Sequence, residues 1–327
     1  MRVIALAGFG GTDVLRVEEA EIPGPGKGEV LIRVAAAGVN RADLYQRQGH
    51  YPPPAGASEI PGLEVAGEIA TCGPEAEDRW KVGDKVCALV PGGGYAEYCV
   101  AHSGCCLPLP EKMEFVAAAS LPEAAWTVWA NLFSPRRIHA GDRFLMQGGT
   151  SGIGTFAIQA AKAFGATVAA TAGSRDKCRF LLELGCERAF CYREEDWAAG
   201  VLEWSGGVGV DAVLDMVGGD YFAQHLKVLA RDGRLVHIAA AAGAKVELDL
   251  RAIMAKRLIL TGSTLRSRSV TEKTALRDGV EEYLWPLLRE GRIRPIVDSV
   301  FPLEDAAAAH ERMQSSLHIG KIVLRLA

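Results

Sequence analysis

No run of eighteen apolar residues occurs among the 327 positions, so nothing in the chain reads as a membrane span. No basic tract is present either. The 36 Lys and Arg against 40 Asp and Glu leave a net charge of -4, which argues against a nucleic-acid partner. Histidine is scarce, at seven, and the eight cysteines (Cys72, Cys87, Cys99, Cys105, Cys106, Cys178, Cys186 and Cys191) include no C-x-x-C pair. The adjacent Cys105 and Cys106 lack the companions that a structural zinc knot needs. Met1 leads straight into strand-like RVIALAG and then charged sequence, unlike an export leader. Free thiols in a reducing, cytoplasmic setting are therefore expected, with neither metal nor disulfides. Internal repeats and low-complexity runs are also missing.

Hydrophobic residues make up 49% of a 34.9 kDa chain, enough core for two domains. The first 120 residues are rich in Gly and Pro and break into short strands over Glu29–Ala35, Glu64–Cys72, Asp84–Leu89 and Tyr95–Val100. After Pro122 the texture turns to strand–helix alternation. Parallel strands are expected at Arg143–Met146, Thr167–Ala170, Ala189–Phe190, Ala212–Met216, Arg234–Ala239 and Leu258–Thr261, with helices at 152–164, Asp176–Leu184 and Tyr221–Leu229. The strand-like end, His318–Leu326, is expected to return to the first domain. The division is thus a β-rich domain over 1–121, completed by about 267–327, and a cofactor domain over 122–266.

The stretch Arg143–Thr171, RFLMQGGTSGIGTFAIQAAKAFGATVAAT, carries the strongest signal. An apolar strand enters a glycine turn, a small-residue helix follows, and a second apolar strand closes a dinucleotide-binding βαβ unit. Gly149 suits the tight turn out of the strand, Gly152 lets a pyrophosphate approach the backbone, and Gly154 lets helix and sheet pack closely. The N–H groups opening the helix would hold the phosphates. An NAD-specific fold places an acid at the end of the second strand. Here Thr171-Ala172-Gly173-Ser174-Arg175-Asp176-Lys177 has none at the strand end itself, while Ser174, Arg175 and Lys177 suit an additional 2′-phosphate. NADPH is the expected cofactor, with Tyr192 flanking its adenosine end.

In VLIRVAAAGVNRADLYQRQGHYPPP, IPGLEVAGEI, VGDKVCAL, GGGYAEYCV, GGTSGIGTFAIQAAKAFGA, LRSRS and the terminal HIGKIVL, the chain resembles a zinc-independent medium-chain dehydrogenase/reductase of the quinone oxidoreductase group. It is most similar to the branch of p53-inducible quinone oxidoreductase-like proteins. The resemblance spans essentially the whole chain and implies an α/β fold: a GroES-like β-rich catalytic domain beside a Rossmann cofactor domain. Zinc-dependent relatives carry a cysteine after Gly-Val, where this chain has Asn40, and a histidine in Gly-His-Glu, where it has Leu63. Their cysteine-rich zinc lobe is missing as well, so the Lewis acid of an alcohol dehydrogenase is not expected. The resemblance also implies contacts: Asn40 with the nicotinamide ribose and substrate; Tyr51 with the substrate; Ser151, Gly152 and Ile153 with the pyrophosphate; Gly173, Ser174 and Lys177 with the 2′-phosphate, beside Tyr192. Ser263, Thr264 and Leu265 match the stretch facing the carboxamide. His318 and Lys321 occupy the tail contact, where relatives often have asparagine before I-G-K-I-V-L. Family members are commonly dimers joined near Leu258–Thr264.

A quinone takes hydride without metal assistance if the nicotinamide is aligned with its ring and water is kept out. Asn40 through its amide and Tyr51 through its phenol are the expected donors to the developing oxyanion. Arg41 and Asp43 read as a structural polar network, and Asp215 as a polar cap at its strand end or part of a cofactor-side network. Three functions are weighed: NADPH-dependent reduction of small quinones, NADPH-dependent reduction of activated C=C bonds in enones, and a cofactor-binding regulatory role with little turnover.

Overall fold

The computed structural model describes residues 1–134 and 136–326. In chain order the strands are β1 (Arg2–Leu6), β2 (Leu15–Glu19), β3 (Glu29–Val39), β4 (Glu64–Cys72), β5 (Lys85–Leu89), β6 (Tyr98–His102), β7 (Cys106–Pro108), β8 (Arg143–Met146), β9 (Thr167–Ala172), β10 (Arg188–Cys191), β11 (Val210–Asp215), β12 (Leu229–His237), β13 (Ile259–Gly262), β14 (Val297–Pro302) and β15 (Lys321–Arg325). The chain forms two compact units: residues 1–126, 265–290 and 295–327, and residues 127–264 with 291–294.

In the first unit a sheet runs β14-β15-β3-β4-β5-β7, with β6 also paired to β3. Its long central strand, β3, is specified by the alternating run Val30, Ile32 and Val34, which are buried together with Val65, Ile69, Val86 and Tyr95. Register shifts between Leu31 and Ile32, and between Val34 and Ala36, bend it against β4. The C-terminal strand β15 lies antiparallel to β3, with Ile322 opposite Val39. This return, expected from the apolar IGKIVL segment, brings Lys321 alongside the end of β3. At that same end Gly38 leaves space for a neighbour: a Cβ there would lie 2.6 Å from both the Glu64 carboxyl carbon and the Ala119 carbonyl oxygen.

The second unit has a six-stranded sheet in the order β10-β9-β8-β11-β12-β13, parallel throughout. Strand order reverses between β8 and β11, the point where open α/β sheets bind ligands beyond the carboxyl ends of their strands. All six expected strands and the helices at Gly152–Ala163, Arg175–Leu184 and Tyr221–Val228 are present. One detail of the glycine turn differs from the sequence expectation. The left-handed residue is Gly148, at φ +72°, while Gly149 is the close-packing position: a Cβ on it would lie 2.7 Å from Ala170 and 3.0 Å from Leu181. At Gly154 the close neighbour is the turn itself: a Cβ there would lie 2.7 Å from the Gly149 carbonyl oxygen. The sequence expects Arg234–Ala239 as the fifth strand, but β12 begins at Leu229, directly after its helix, and turns through Asp232 at φ 62°.

Candidate functional site

In the second unit the cofactor residues cluster at strand ends. Ser151 caps the Gly152–Ala163 helix by accepting from the Gly154 N–H at 2.9 Å, so its hydroxyl organises the turn at the helix N-terminus. Ser174 caps the next helix, accepting from the Lys177 N–H at 3.3 Å. Gly173 and Tyr192 adjoin: a Cβ on Gly173 would lie 2.6 Å from the Tyr192 hydroxyl, and Tyr192 also packs edge-on to Tyr221. Arg175, exposed at this edge, pairs with Glu194 at 2.6 Å, and Asp176 sits in the first helical turn, paired with Arg179. The end of β9 therefore carries a serine hydroxyl, two cationic residues and a glycine against which the Tyr192 hydroxyl closes, residue types that fit the 2′-phosphate of NADPH. Ser263 follows β13, its N–H donating to His237 O at 3.0 Å and its hydroxyl to Asn131 Oδ1 at 2.8 Å. Asn131 in turn donates to Thr127 O across the π-helical turn Trp129–Phe133. Thr264 ends this unit, and Leu265, buried, opens the return to the first.

In the first unit the ends of β3, β4 and β15 meet in a buried polar knot. Asn40, 8% exposed, presents both ends of its amide to neighbours. Its Oδ1 accepts from Lys321 Nζ at 2.6 Å, and its Nδ2 donates to Glu64 Oε1 at 2.9 Å. Lys321 also bonds Glu64 Oε1 directly, and Glu64 Oε2 accepts from the Glu123 N–H at 2.9 Å. One Asn40 N–H remains beyond these strong bonds, facing Gly38 O at 3.5 Å. The knot thus fixes the amide's orientation.

Asn40 also begins the Arg41–Arg47 helix, and the Asp43 carboxylate closes the cap by accepting the Asn40 N–H at 2.8 Å. Fully buried, Asp43 further accepts from the Gly62 N–H at 3.2 Å and the Tyr95 hydroxyl at 3.0 Å, and Tyr95 contacts His310 Nε2 at 3.2 Å. Burial pushes Asp43 up to about 6 despite these bonds. Burial also drives His310 down to about 3, so it stays neutral. The structural network expected around Asp43 is present, while Arg41 points elsewhere, to Ser316 at 3.3 Å.

Tyr51 is half-buried and held through its ring and carbonyl. The buried Arg266 guanidinium lies 5.4 Å from the ring centroid and donates to Tyr51 O at 3.2 Å, Pro91 O at 2.8 Å and Gln46 Oε1 at 2.8 Å. Burial raises the phenol above its ordinary range, with the Glu123 charge adding to the effect. Glu123 is pushed up to about 8 by burial, reinforced by the Glu64 carboxylate, and so carries its proton at neutral pH. His318 is buried ahead of β15.

Sequence reasoning named Asn40, Tyr51 and Lys321 but not Glu64, Glu123 or Arg266 as groups they meet. Glu64 lay in the quoted Gly-Leu-Glu and Arg266 in LRSRS, so their motifs were visible. The register of β15 against β3 brings Lys321 to Asn40 and Glu64, while Arg266 reaches Tyr51 from outside those strands. The eight cysteines are all free, and those of Cys99 and Cys105 are raised by burial to about 12 and about 11. Among the described residues no group of three or more His, Cys, Asp or Glu is placed to hold a metal ion, and no helix is long and apolar enough to cross a membrane.

Comparison with known proteins matches residues 26–111 to the alcohol dehydrogenase GroES-like domain and residues 152–279 to the zinc-binding dehydrogenase family. Quinone oxidoreductase of Rattus norvegicus is 32% identical over 333 residues, covering 100% of this chain and 98% of the relative. The crystal structure of Escherichia coli quinone oxidoreductase complexed with NADPH superposes with a TM-score of 0.89 at 29% identity, over 100% of both chains. The CurK enoyl reductase superposes at 0.88 with 28% identity, over 100% of this chain and 99% of the other. With the zinc-ligand positions of its metal-dependent relatives held by Asn40 and Leu63, and this likeness running from end to end, the chain belongs to the zinc-independent quinone oxidoreductase family of medium-chain dehydrogenases/reductases.

Proposed function

We propose that this protein reduces small quinones with hydride from NADPH, without a metal. One observation in the first unit carries the reading: the groups gathered there are proton and hydrogen-bond donors. Tyr51 is a neutral phenol backed by a cation, Glu123 a protonated carboxyl, and Asn40 an amide oriented by its neighbours. Such a set suits an acceptor whose oxygens gain negative charge and then protons. NADPH supplies the hydride when bound. Ser151, Gly152, Ile153 and Gly154 hold its pyrophosphate, and Gly149 lets the turn close. Gly173, Ser174, Arg175 and Lys177 take the 2′-phosphate, Tyr192 flanks the adenosine end, and Ser263, Thr264 and Leu265 face the carboxamide. Asn40, with Lys321 holding its orientation, approaches the ribose and the substrate, and His318 borders the same end of β15. The quoted motifs favour the p53-inducible quinone oxidoreductase-like branch, and the eight free thiols suit a reducing cytoplasm.

A second reading, reduction of activated C=C bonds in enones, is favoured by the protonated Glu123, since an enone needs a proton at carbon after hydride attack. NADPH oxidation followed at 340 nm with 1,2-naphthoquinone, 1,4-benzoquinone and a simple enone in parallel, with NADH as control, separates the two. Quinone-dependent turnover preferring NADPH supports the first reading, and turnover on the enone alone supports the second. Tight NADPH binding without turnover on any acceptor would point to a regulatory role.

The chain is further expected to form a homodimer through β13. Among the described residues that strand is paired on one side only, by β12; the segment leading into it exposes Leu248, Leu250 and Met254, and the strand itself exposes Ile259. An apolar sheet edge needs cover, and a second copy supplies it.

A further inference from the structure

In the second unit several buried polar groups stand outside the cofactor contacts assigned above. Gln147, directly after β8, is fully buried, as are Thr171 in β9, Asp215 at the end of β11 and His225 in the Tyr221–Val228 helix. Groups this dry persist when they are bonded to one another, and here the bonds form a chain with a single direction. The Gly148 N–H donates to Thr171 Oγ1 at 3.2 Å. The Thr171 hydroxyl donates onward to Gln147 Oε1 at 2.6 Å. With its carbonyl taken, Gln147 turns its amide nitrogen to His225 Nε2 at 3.1 Å. With the amide NH2 turned to it, His225 Nε2 accepts and the imidazole proton is assigned to Nδ1, a buried nitrogen that has no hydrogen-bond partner among the described residues.

The other neighbours of His225 leave this arrangement undisturbed. Asp215 Oδ1 lies 3.8 Å from His225 Nε2, too far for a hydrogen bond. The Asp215 carboxylate is engaged instead by the Val217 N–H, the Gly218 N–H and His237 Nδ1, each at 2.9 Å. The ring packs among Trp197, Tyr221 and His237 at 5.4, 6.1 and 6.5 Å between centroids. Burial lowers His225 to about 4, so it is a neutral acceptor at ordinary pH.

At its other end the chain reaches the glycine turn. Thr171 grips both turn residues, because the Gly149 N–H also donates to Thr171 O at 2.9 Å. The Ser151 N–H in turn donates to Gly148 O at 3.0 Å, which ties the turn to the cap of the phosphate-facing helix.

We propose that Gln147, Thr171 and His225 are positioning residues for cofactor binding, a buried relay in which His225, remote from the motif in sequence, holds the Gly148 turn in the geometry that receives the pyrophosphate. This rests on the reading that the turn binds NADPH. The relay acts on the backbone of the turn, so its loss weakens cofactor binding and leaves the reacting groups of the first unit alone.

The test compares the parent with His225→Phe, which keeps a ring and removes the acceptor, and His225→Asn, whose carbonyl restores one. NADPH dissociation constants come from fluorescence titration, kcat and quinone KM from saturating-cofactor assays, and the His225 tautomer from nitrogen-15 NMR without cofactor. H225F is expected to weaken NADPH binding about tenfold, the equivalent of one hydrogen bond, with kcat and quinone KM unchanged and H225N recovering most of the loss. Should H225F not fold, Thr171→Val removes a single hydroxyl at constant volume and carries the same expectation. Binding by the folded variants within twofold of the parent overturns the proposal, as does an Nε2-protonated His225. If the parent itself discriminates neither NADPH nor NADH from adenosine, the cofactor assignment fails, and the tautomer still decides the relay.

Discussion

Replacing Lys321 with methionine isolates the ion pair on which the Asn40 knot depends. Lys321 is 5% exposed and the Glu64 side chain is wholly buried, so the substitution leaves a dry carboxylate with two neutral donors, the Asn40 amide and the Glu123 N–H. Breaking a buried pair by removing one partner costs about 3–5 kcal/mol. A ceiling follows from acid–base chemistry. A glutamate denied its partner can take up a proton, and from an ordinary range near 4.3 this costs about 3.7 kcal/mol at pH 7. The expected loss is therefore about 3–4 kcal/mol at pH 7, shrinking to about 1 kcal/mol at pH 5. The sign is set by linkage: in the variant the folded state holds a proton that the unfolded chain has released, so the variant weakens relative to the parent as pH rises. Urea unfolding followed by tryptophan fluorescence reads this out, since Trp80, Trp126 and Trp285 all belong to the first unit. Combining K321M with Glu64→Gln removes both charges and should recover at least half of the loss. A K321M loss under about 1 kcal/mol at pH 7, or one independent of pH, would refute the reasoning.

Glu123→Gln should remove an alkaline limb from the rate profile, because the carboxyl gives up its proton near pH 8; an unchanged pH–rate curve rules Glu123 out as a proton donor. The same residue bears on stability. Folded, it holds its proton to about 8, against 4.5 ordinarily, so its contribution declines as pH rises between those values, and E123Q should flatten the fall in melting temperature between pH 6.5 and 8. Arg175→Ala should raise KM for NADPH about fivefold and leave NADH unaffected, the exposed side chain and its Glu194 partner limiting the effect; equal changes for both cofactors contradict a 2′-phosphate pocket. Ile259→Asp, in β13, should convert a dimer to monomer in sedimentation velocity, and a parent that already sediments as a monomer removes that interface.

How much of this was legible in the sequence depends on the range of the interaction. The βαβ unit is local: its apolar strands, glycine turn and small-residue helix lie within thirty residues, and all appear where periodicity places them. Even there the left-handed residue is Gly148 and not Gly149, because a Gly-Gly pair offers two positions for the turn and only contacts with Ala170 and Leu181, a strand and a helix away, choose between them. Asn40 and Lys321 were each nameable from their motifs, yet 281 residues separate them, and nothing local states that one holds the other. Their meeting requires β15 to pair with β3 in one register, Ile322 opposite Val39; a one-residue slip would turn Lys321 to the other face of the sheet. Gly38 shows the same logic from the side of space. It reads as a weak point in a strand, but it is the gap through which the Glu64 carboxyl reaches the knot. His225 is the extreme case. On a helix it is one polar residue among several, with no spacing or neighbour to mark it. Its role emerges only when donor and acceptor are assigned along Gly148, Thr171 and Gln147, because the direction of those bonds leaves it one tautomer and therefore one task.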